Sequence, residues 1–237
     1  MQTADEAVLD DLRLLARARR LADWMFSEFA SDVHGRVVEV GAGIGTFSGR
    51  LLAAGCDRLV LVEPHAESAA ILAAKFGGDD RVSIVRASLP GAEGLRAELA
   101  QNDLVLSQNV LEHIEDDTAA VAEMASLLRP GGMLDLLVPA HPRLYTRLDR
   151  EYGHHRRYDR STLERLLREA GLDIVTLRSF NLLGIPGWWL GGRRSSGRIG
   201  ARTLSAFDLV VPVWRRLEDL ARPQVGLSLV ARARRPS

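Results

Sequence analysis

Apolar residues along the chain follow two spacings, and segments of one kind alternate with segments of the other. A three- to four-residue repeat predicts a helix over residues 4–29, on the positions Val8, Leu12, Leu15, Leu21, Trp24, Met25 and Phe29. Short apolar runs predict seven strands, at residues 36–40, 58–63, 81–85, 103–107, 133–138, 172–177 and 225–231. Further helices are predicted from Thr46 to Ala54, between Pro64 and Gly77, and over residues 92–100, 117–128 and 161–171, the last with the Ser161-x-x-Glu164 spacing of a capping box.

Strands that alternate with helices are typical of a mainly parallel sheet covered by helices on both faces. We therefore expect one α/β domain over residues 1–237, in which an N-terminal helical cap (1–34) precedes a ligand-binding core (35–138). Two segments interrupt the alternation, residues 139–160 after the fifth strand and residues 180–224 between the sixth and the seventh. Long insertions at strand ends often carry substrate lids, and both segments are predicted to do so.

The composition is that of a soluble globular protein, with 46% hydrophobic residues, 26% charged residues and a formal net charge of zero. The single cysteine, Cys56, excludes an internal disulfide and suits a reducing compartment. The N-terminal sequence is acidic and lacks the features of a signal peptide, and no apolar run approaches the ~18 residues of a membrane span. We therefore expect a cytoplasmic protein.

Charge is unevenly distributed along the chain. Residues 187–237 contain ten arginines against three acids, whereas Lys75 is the only lysine in the whole sequence. A net charge of zero and the lack of a long basic face disfavour nucleic acid as a partner. The single lysine also disfavours a short-chain dehydrogenase, because those enzymes need a Tyr-x-x-x-Lys pair.

Three glycines at alternate positions follow the first predicted strand, in V-V-E-V-G-A-G-I-G-T-F-S over residues 37–48. Gly41, Gly43 and Gly45 let the backbone turn sharply and let a ligand approach, and the helix that follows presents free N–H groups. Glu63 ends the second strand, where a carboxylate can accept both hydroxyl groups of a ribose. Together these residues predict a nucleoside cofactor at the carboxyl edge of the sheet.

The spacing G-x-G-x-G differs from the G-x-G-x-x-G that dinucleotide-binding folds prefer. Glu39 lies two residues before the first glycine, where it would repel a pyrophosphate but would suit the ammonium group of an amino acid. The loop therefore favours a nucleoside joined to an amino-acid moiety over a nicotinamide dinucleotide.

Five segments between residues 36 and 138 make the chain resemble the class I S-adenosylmethionine-dependent methyltransferases. In the order of that family they are E-V-G-A-G-I-G, V-E-P, R-A-S-L, D-L-V-L-S-Q-N-V-L-E-H-I and L-L-R-P-G-G-M-L. The resemblance implies a Rossmann-like, doubly wound α/β fold with seven strands in the order 3-2-1-4-5-7-6, of which the last is antiparallel. It also implies S-adenosyl-L-methionine as the cofactor and S-adenosyl-L-homocysteine as its product.

The same resemblance implies which residues bind the cofactor. These are Glu39, Gly41, Ala42, Gly43 and Gly45 at the methionine end, Glu63 and Pro64 at the ribose, Ala87, Ser88 and Leu89 beside the adenine, and Gln108, Asn109 and Val110 on the sulfonium side. One departure concerns the adenine contact, because many relatives carry Asp where this chain has Ser88.

Some relatives, such as the ubiquinone-pathway O-methyltransferases, bind a divalent metal through a Glu-x-x-Glu-His cluster after the fourth strand. This chain has Asn109 at the first position of that cluster, so Glu112 and His113 are left. Two ligands on adjacent residues make a poor site for a hard cation. The sequence therefore predicts no metal site.

The insertion after the fifth strand contains E-Y-G-H-H-R-R-Y, next to the implied sulfonium side. A histidine there would serve as general base for a hydroxyl acceptor, and His154 is preferred to His141 and His113. Paired arginines would bind a carboxylate or phosphate of the substrate, unless Glu151 or Asp159 pairs with them and merely fixes the loop. The predicted substrate contacts are Tyr145, His155, Arg156, Arg157, Tyr158, Trp188 and Trp189.

The motifs H-P-x-L-Y, G-H-x-R-R-Y and N-L-L-G-I-P-G-W-W also resemble a bacterial subgroup of methyltransferases and extend the match to nearly the whole chain. The leading prediction is methylation of a small molecule, with an oxygen of an anionic or polar metabolite as the favoured acceptor. A membrane-surface enzyme for a lipid-linked or glycan acceptor is the first alternative, because Trp188 and Trp189 are followed by arginines. A non-catalytic binding subunit is the second, and both a monomer and a homodimer agree with the sequence.

Overall fold

The computed structural model describes residues 4–92, 100–193 and 200–237. One sheet contains seven strands, β1 (Arg36–Val40), β2 (Arg58–Val62), β3 (Val82–Val85), β4 (Asn102–Gln108), β5 (Leu128–Pro139), β6 (Asp173–Phe180) and β7 (Ser228–Arg234). Their order across the sheet is β3-β2-β1-β4-β5-β7-β6. The strands from β3 to β5 in this order pair in parallel, whereas β7 pairs antiparallel with both β5 and β6. The predicted fold, sheet order and antiparallel last strand are confirmed.

Helices flank this sheet in the described residues. They are α1 (Ala4–Leu15), α2 (Arg19–Ser27), α3 (Ser48–Ala54), α4 (Ala66–Phe76), α5 (Asp117–Ser126), α6 (Arg147–Glu151), α7 (Arg160–Glu169), α8 (Gly184–Arg193) and α9 (Ala201–Ala221). The two predicted insertions contain α6 and the pair α8 and α9, respectively. Within the described ranges, no helix combines the length and the apolar character needed to cross a membrane.

The core has two halves because helices cover both faces of the sheet. On one face, Val38 and Val105 pack with residues of α5 and α7. On the other face, Val37 and Leu104 pack with residues of α2, α3, α4 and α9. Neighbouring strand residues point to opposite faces, and here both directions are buried. This double burial explains why the strands are continuous apolar runs in the sequence.

The predicted helix over residues 4–29 is in fact two helices, because the chain turns between α1 and α2. The turn gives the halves different neighbours. Leu12 of α1 approaches the glycine loop at Gly43, whereas Trp24 of α2 packs on Phe180 with ring centroids 4.4 Å apart. A continuous apolar repeat does not reveal this break, since each half still buries an apolar face.

Strand β5 begins earlier than predicted. Helix α5 ends at Ser126 and β5 starts at Leu128, so the Pro-Gly-Gly turn expected between them lies inside the strand. Gly131 has φ +81°, and its amide donates to the Arg235 carbonyl at 2.9 Å. The register between β4 and β5 shifts at this point, as in a β-bulge. The helix predicted over residues 92–100 lies almost wholly outside the described residues.

Helix α7 is capped by a different residue from the one predicted. The Asp159 carboxylate accepts hydrogen bonds from the Thr162 amide at 2.7 Å and from the Ser161 hydroxyl at 2.8 Å. Glu164, the expected capping partner of Ser161, instead pairs with Arg168 at 2.9 Å. The predicted capping box is therefore wrong, because Asp159 is the N-cap and Ser161 already lies within the helix.

Asp159→Ala is expected to lower the free energy of unfolding by about 1 kcal/mol, because the first N–H groups of α7 lose their acceptor. Glu164→Gln is the matched control at the unused capping position, and it should change that free energy by less than about 0.5 kcal/mol. Urea unfolding followed by circular dichroism measures both variants. Equal effects of the two substitutions would contradict this assignment of the cap.

Candidate active site

The residues predicted to bind the cofactor gather at the carboxyl ends of the parallel strands. The register pairs Val40 of β1 with Val62 of β2 and with Ser107 of β4, and it pairs Val62 with Val85 of β3. The residues that follow these positions therefore emerge side by side. Open parallel sheets bind their ligands at this edge.

The glycine loop turns on three residues with positive φ, which is +74° at Gly41, +55° at Gly43 and +82° at Gly45. A Cβ atom on Gly41 would lie 2.3 Å from a methyl group of Val110, and one on Gly45 would lie 2.5 Å from the Phe76 ring. Both the conformation and the space at these positions therefore require glycine. The loop also runs directly against the segment that follows β4.

Glu39, near the end of β1, is buried beneath this loop. Its carboxyl group accepts a hydrogen bond from the Ser48 hydroxyl at 2.6 Å. Burial raises the pKa of Glu39 to about 8, and the charge of Glu63 adds to the rise while the Ser48 bond opposes it. A cation placed beside this carboxyl group would favour the ionised form and reverse the shift.

Glu63, directly after β2, is also buried and accepts hydrogen bonds from backbone amides. One oxygen accepts from the Gly43 amide at 2.8 Å. The other oxygen accepts from the His65 amide at 3.0 Å and lies 3.0 Å from its ring Nδ1. The carboxylate is thus held at the strand end, where the hydroxyl groups of a ribose would compete with these donors for the same oxygens.

The end of β4 offers polar atoms that lack partners. Both amide atoms of Gln108 are buried and find no hydrogen-bond partner among the described residues. Asn109 follows with φ +53° and donates its backbone amide to the Leu137 carbonyl at 2.8 Å. Because buried amides are almost always bonded, the Gln108 side chain fits a ligand with polar groups.

The other predicted cofactor contacts differ in how much of their surface is covered. Ala42 and Leu89 are buried, Ala87 is half-buried, and Pro64 and Ser88 are exposed. The backbone turn at Gly41, the buried Glu39 and the unpartnered Gln108 amide together fit a cofactor with an amino-acid end.

The loop after β5, here called the β5 loop (residues 139–160), starts and ends against the same strand end. Ala140 forms a parallel bridge with Tyr158. The His141 amide donates to the Tyr158 carbonyl, and the Tyr158 amide donates to the Pro139 carbonyl, both at 2.9 Å. These bonds tie the two stems of the loop to each other.

Asp149 of α6 is the buried centre of the β5 loop. Its carboxylate accepts hydrogen bonds from the Thr146 amide at 2.7 Å, from Arg157 Nε at 2.7 Å and from Trp188 Nε1 at 3.3 Å, and it lies 2.9 Å from His154 Nδ1. Burial alone would raise the pKa of Asp149, but the bonds from His154 and Thr146 and the charge of Arg157 outweigh it and lower that pKa. The carboxylate is therefore ionised.

His154 lies between two acids. Because Asp149 is ionised, it favours the ring proton on Nδ1 and leaves Nε2 with a free lone pair. Nε2 points toward Glu112, whose Oε1 lies 3.9 Å away. The Trp188 ring is parallel to the imidazole within 4°, with centroids 6.4 Å apart, and the His113 ring meets it edge-on at 4.8 Å. An imidazole held in one tautomer by a carboxylate is suited to general base catalysis.

Glu112, beneath His154, is buried, and both of its carboxyl oxygens lack a hydrogen-bond partner among the described residues. Burial raises the pKa of Glu112 to about 8, and the charge of Asp149 raises it further while that of Arg157 opposes the rise. His113 is partly open to solvent, but its ring packs edge-on against that of His154. Desolvation on this packed side and the nearby ring of His154 lower the pKa of His113. At neutral pH Glu112 is therefore mainly protonated and His113 is neutral.

Among the described residues, Glu112, His113 and His154 form a group that could hold a metal ion. One ligand atom of each lies within 4.8 Å of the others. The sequence identified the first two, and the β5 loop adds the third. Around a zinc ion with bonds of about 2.0–2.2 Å, ligand atoms lie closer, roughly 3.3–3.5 Å apart. Glu112 would also have to lose its proton, so the absence of a metal site stays a prediction.

The expected contact between Arg157 and a substrate anion needs correction. The guanidinium is buried, donates to Asp149 and donates to the Ala140 carbonyl at 3.0 Å. Its central carbon lies 4.6 Å from the centre of the Trp188 ring. The ion pair with Asp149 therefore fixes the loop. The sequence analysis considered such a pairing, but with Glu151 or Asp159 as the acid.

Asp117 at the start of α5 engages two more predicted substrate contacts. Arg156 lies 2.8 Å from its carboxylate and donates to the Glu115 carbonyl at 2.7 Å. The Tyr158 hydroxyl lies 3.0 Å from the same carboxylate and 3.2 Å from the Leu111 carbonyl. Tyr158 is fully buried in the core, and burial raises its pKa. Its expected contact with substrate is therefore corrected to an internal one.

The remaining predicted residues lie around the imidazole or at the surface. The Tyr145 hydroxyl donates to the His154 carbonyl at 2.6 Å. His155 and Trp189 are exposed. His141 has φ +62° and a buried Nε2 without a partner in the described ranges, so it stays a candidate for contact with a ligand.

Asp149 is the important residue that the sequence patterns above do not identify. A signal for it was present, because Thr146-x-x-Asp149 has the spacing of a capping box. In the structure both hydrogen bonds of that box are formed. A cap that also accepts bonds from a histidine and an arginine is a long-range arrangement, and the spacing alone does not reveal it.

Known proteins that resemble this chain include several methyltransferases. The methyltransferase-domain family matches residues 13–177. The ubiquinone biosynthesis O-methyltransferase of Bordetella avium is 32% identical over 111 residues, which are 46% of this chain and 45% of that protein. The tRNA U34 carboxymethyltransferase of Methylococcus capsulatus is 36% identical over 104 residues, which are 43% of this chain and 31% of that protein. The chain thus spans less than half the length of these curated relatives.

Solved structures show the same fold. A chain of a Haloferax volcanii complex that contains the Trm112 methyltransferase activator matches with a TM-score of 0.66, 17% identity and coverage of 100% of both chains. The N-methyltransferase NodS of Bradyrhizobium japonicum, solved with S-adenosylhomocysteine, matches with a TM-score of 0.59 and 18% identity, over 93% of this chain and 87% of that one. At these identities the likeness concerns the fold.

Glu112→Gln is expected to make the protein less sensitive to rising pH. The folded-state pKa of Glu112 is about 8, above the ordinary value of 4.5. The folded state thus binds the proton more tightly, and the stability that this provides is present below pH 4.5 and is lost as the pH rises toward 8. From pH 5 to pH 8, the free energy of unfolding of the variant should therefore rise relative to that of the wild type by on the order of 2–4 kcal/mol.

Thermal unfolding of both proteins at several pH values measures this difference. Glu115→Gln, at an exposed neighbouring acid, is the control and should follow the wild type. A difference between Glu112→Gln and wild type that does not change with pH would show that the carboxyl group does not titrate as described.

Proposed function

The chain belongs to the methyltransferase-domain family, and on this premise we propose that it methylates an oxygen of a small polar molecule. The observation that carries the proposal is the imidazole of His154, whose Nδ1 lies 2.9 Å from the buried Asp149 carboxylate. A hydroxyl group must lose its proton to accept a methyl group, and a histidine of fixed tautomer can take that proton. A neutral amine already has a free lone pair and needs no such base.

S-adenosylmethionine is the methyl donor, and when bound it supplies a methyl group on a positively charged sulfur. Glu39, once ionised, receives its ammonium group, and Glu63 receives its ribose hydroxyls. The Gln108 amide, unpartnered among the described residues, gains a polar partner. Because Gly41 and Gly45 lack a Cβ atom, the backbone can turn tightly around the cofactor.

The β5 loop provides the proton acceptor. His154 would take the hydroxyl proton of the acceptor on Nε2 while the acceptor oxygen bonds to the methyl carbon, and Asp149 would stabilise the imidazolium that results. The bond from that carbon to sulfur would break in the same step, and S-adenosylhomocysteine would leave as a neutral thioether. Trp188 lies parallel to the imidazole and bonds the same carboxylate, so it limits rotation of the ring. Glu112 and His113 lie on the turn that follows Val110, which itself contacts the glycine loop. This proximity in the chain supports a base beside the transferred methyl group.

An uncharged polar acceptor is favoured over an anionic one. Arg157 is neutralised by Asp149, and Arg156 is paired with Asp117. A substrate carboxylate or phosphate would have to displace one of these internal acids. The internal pairing of Arg156 and Arg157 therefore supports hydroxyl compounds without a negative charge.

Glu39→Gln should weaken the binding of S-adenosylhomocysteine at pH 8 at least tenfold, because an amide does not neutralise its ammonium group. In the wild type, Glu39 has a pKa of about 8 and must release a proton when that ammonium binds. Affinity should therefore rise by roughly tenfold to fiftyfold from pH 6 to pH 8, and the variant should lose this dependence. Isothermal titration calorimetry in buffers of different ionisation enthalpy measures both the affinity and the proton release.

Glu67→Gln, at an exposed acid of α4, is the control and should bind like the wild type. Wild-type affinity in Glu39→Gln, without proton release in either protein, would remove Glu39 from the proposed pocket.

His154→Gln should lower kcat at least a hundredfold for a weakly acidic alcohol, because the base is lost. The loss should shrink for acidic phenols, which ionise without help, and binding of S-adenosylhomocysteine should not change. Mass spectrometry of a panel of hydroxyl compounds, scored for the gain of one methyl group, identifies the acceptor and then measures turnover.

His155→Gln, at the exposed neighbouring histidine, is the matched control and should keep wild-type turnover. Treatment with EDTA should also leave turnover unchanged, since the base requires a free Nε2. Full activity of His154→Gln toward alcohols would refute the base. If the protein contained a bound metal ion and its removal stopped turnover, the role of His154 would be that of a metal ligand and not of a base.

A further inference from the structure

Helix α9 is apolar on two opposite faces. Its inner face buries Leu204 and Val211 against the protein. Its outer face exposes a second apolar set, Ala206, Leu209, Val210, Val213, Leu217 and Leu220. With 3.6 residues per turn, these six positions fall within an arc of about 100° and form one line along the helix, here called the outer stripe. Leu220, at one end, is 86% exposed.

Buried hydrogen bonds determine which face of α9 points outward. Glu218 accepts from the backbone amides of Asn181 at 2.5 Å and of Leu182 at 2.8 Å. Asp208 accepts from the Leu21 amide at 2.9 Å. Rotation of the helix to hide the outer stripe would break these bonds and leave buried carboxylates unpaired. The apolar exposure is therefore built into the way the helix docks.

The charges beside the outer stripe are mainly positive. With 3.6 residues per turn, Arg202 falls within the arc of the stripe and Arg216 lies at its edge, and both are exposed. The exposed acid of this helix is Asp219, whose carboxylate lies 3.7 Å from Arg215. Arg215 and Asp219 lie on the side of the helix away from the stripe, and Asp208 and Glu218 are turned inward, so Arg202 and Arg216 give the outer side two positive charges.

We propose that the outer stripe of α9 docks on an anionic membrane surface. An exposed apolar line with a basic rim is the pattern of a helix that lies in the headgroup layer, with apolar side chains directed at the lipid and arginines at the phosphates. A second copy of the chain is a poorer fit, because a symmetric pair would bring the Arg202 and Arg216 charges of both copies together. Anionic lipid headgroups complement that charge.

The docking surface differs from the one that the sequence suggested. The predicted anchor was the pair Trp188 and Trp189, but Trp188 faces the interior, where its Nε1 donates to Asp149. Docking through α9 goes beyond the proposed function and does not depend on it. A test that reads binding instead of methyl transfer therefore distinguishes the two proposals.

Sedimentation with vesicles tests the docking surface. The wild type should bind vesicles of three parts phosphatidylcholine and one part phosphatidylglycerol at least tenfold more tightly than vesicles of phosphatidylcholine alone. Binding should weaken several-fold between 50 and 300 mM NaCl, because salt screens the arginines. Leu217→Ser/Leu220→Ser should bind the anionic vesicles at least tenfold more weakly. Arg202→Gln/Arg216→Gln should bind more weakly and lose much of the salt dependence.

The matched controls make the same kinds of substitution at exposed residues outside α9. Leu15→Ser/Val175→Ser removes two exposed apolar side chains outside α9, and Arg165→Gln/Arg168→Gln removes two exposed arginines of α7. Both should bind like the wild type, and circular dichroism should show that all variants are folded.

Three results would overturn the proposal. The first is equal binding of the stripe variant and the wild type, and the second is no binding of the wild type to either vesicle. The third is a stable wild-type dimer in light scattering that the stripe substitutions convert to a monomer, because the occupant of the stripe would then be a second copy.

Discussion

Neutralisation of one buried charge is the constraint on which the catalytic side of this protein depends. Asp149 is fully buried and ionised, and an unpaired carboxylate in such a place costs several kcal/mol. His154, Arg157 and Trp188 approach it from two further segments of the chain. The requirement to surround this charge with donors therefore determines both the shape of the β5 loop and the orientation of the imidazole. The packing of the loop and the proposed chemistry therefore depend on the same carboxylate.

Most of the sheet could be predicted from the sequence because both of its faces are buried. Each strand is then an apolar run, and the cofactor edge follows from local features, such as positive φ at Gly41 and an acid directly after β2. The errors occur where distant residues decide a local boundary. Trp24 of α2, after the break between α1 and α2, packs on Phe180 of β6. The irregular start of β5 is hydrogen-bonded to the backbone of Arg235. No periodicity within one segment contains that information.

The catalytic side was less predictable than the cofactor side for a related reason. The sequence G-H-H-R-R-Y is the same whether its arginines face a substrate or the interior. The outcome depends on acids outside the motif, Asp149 for Arg157 and Asp117 for Arg156. His154 could be selected as a residue of suitable chemistry. The carboxylate that orients it, Asp149, could not be identified from the sequence, because the two residues meet only in the folded β5 loop.

The two tied stems of the β5 loop have a mechanical consequence. Ala140 and Tyr158 form a β-bridge, and Tyr158 is buried in the core. Both stems of the loop are therefore anchored to the sheet. The imidazole also faces Trp188 of α8, whose ring lies parallel to it with centroids 6.4 Å apart. A small outward shift of α8 would uncover His154 and give up one hydrogen bond to Asp149. Exposure of the imidazole from this side would therefore need a movement of α8, because both stems of the β5 loop are anchored.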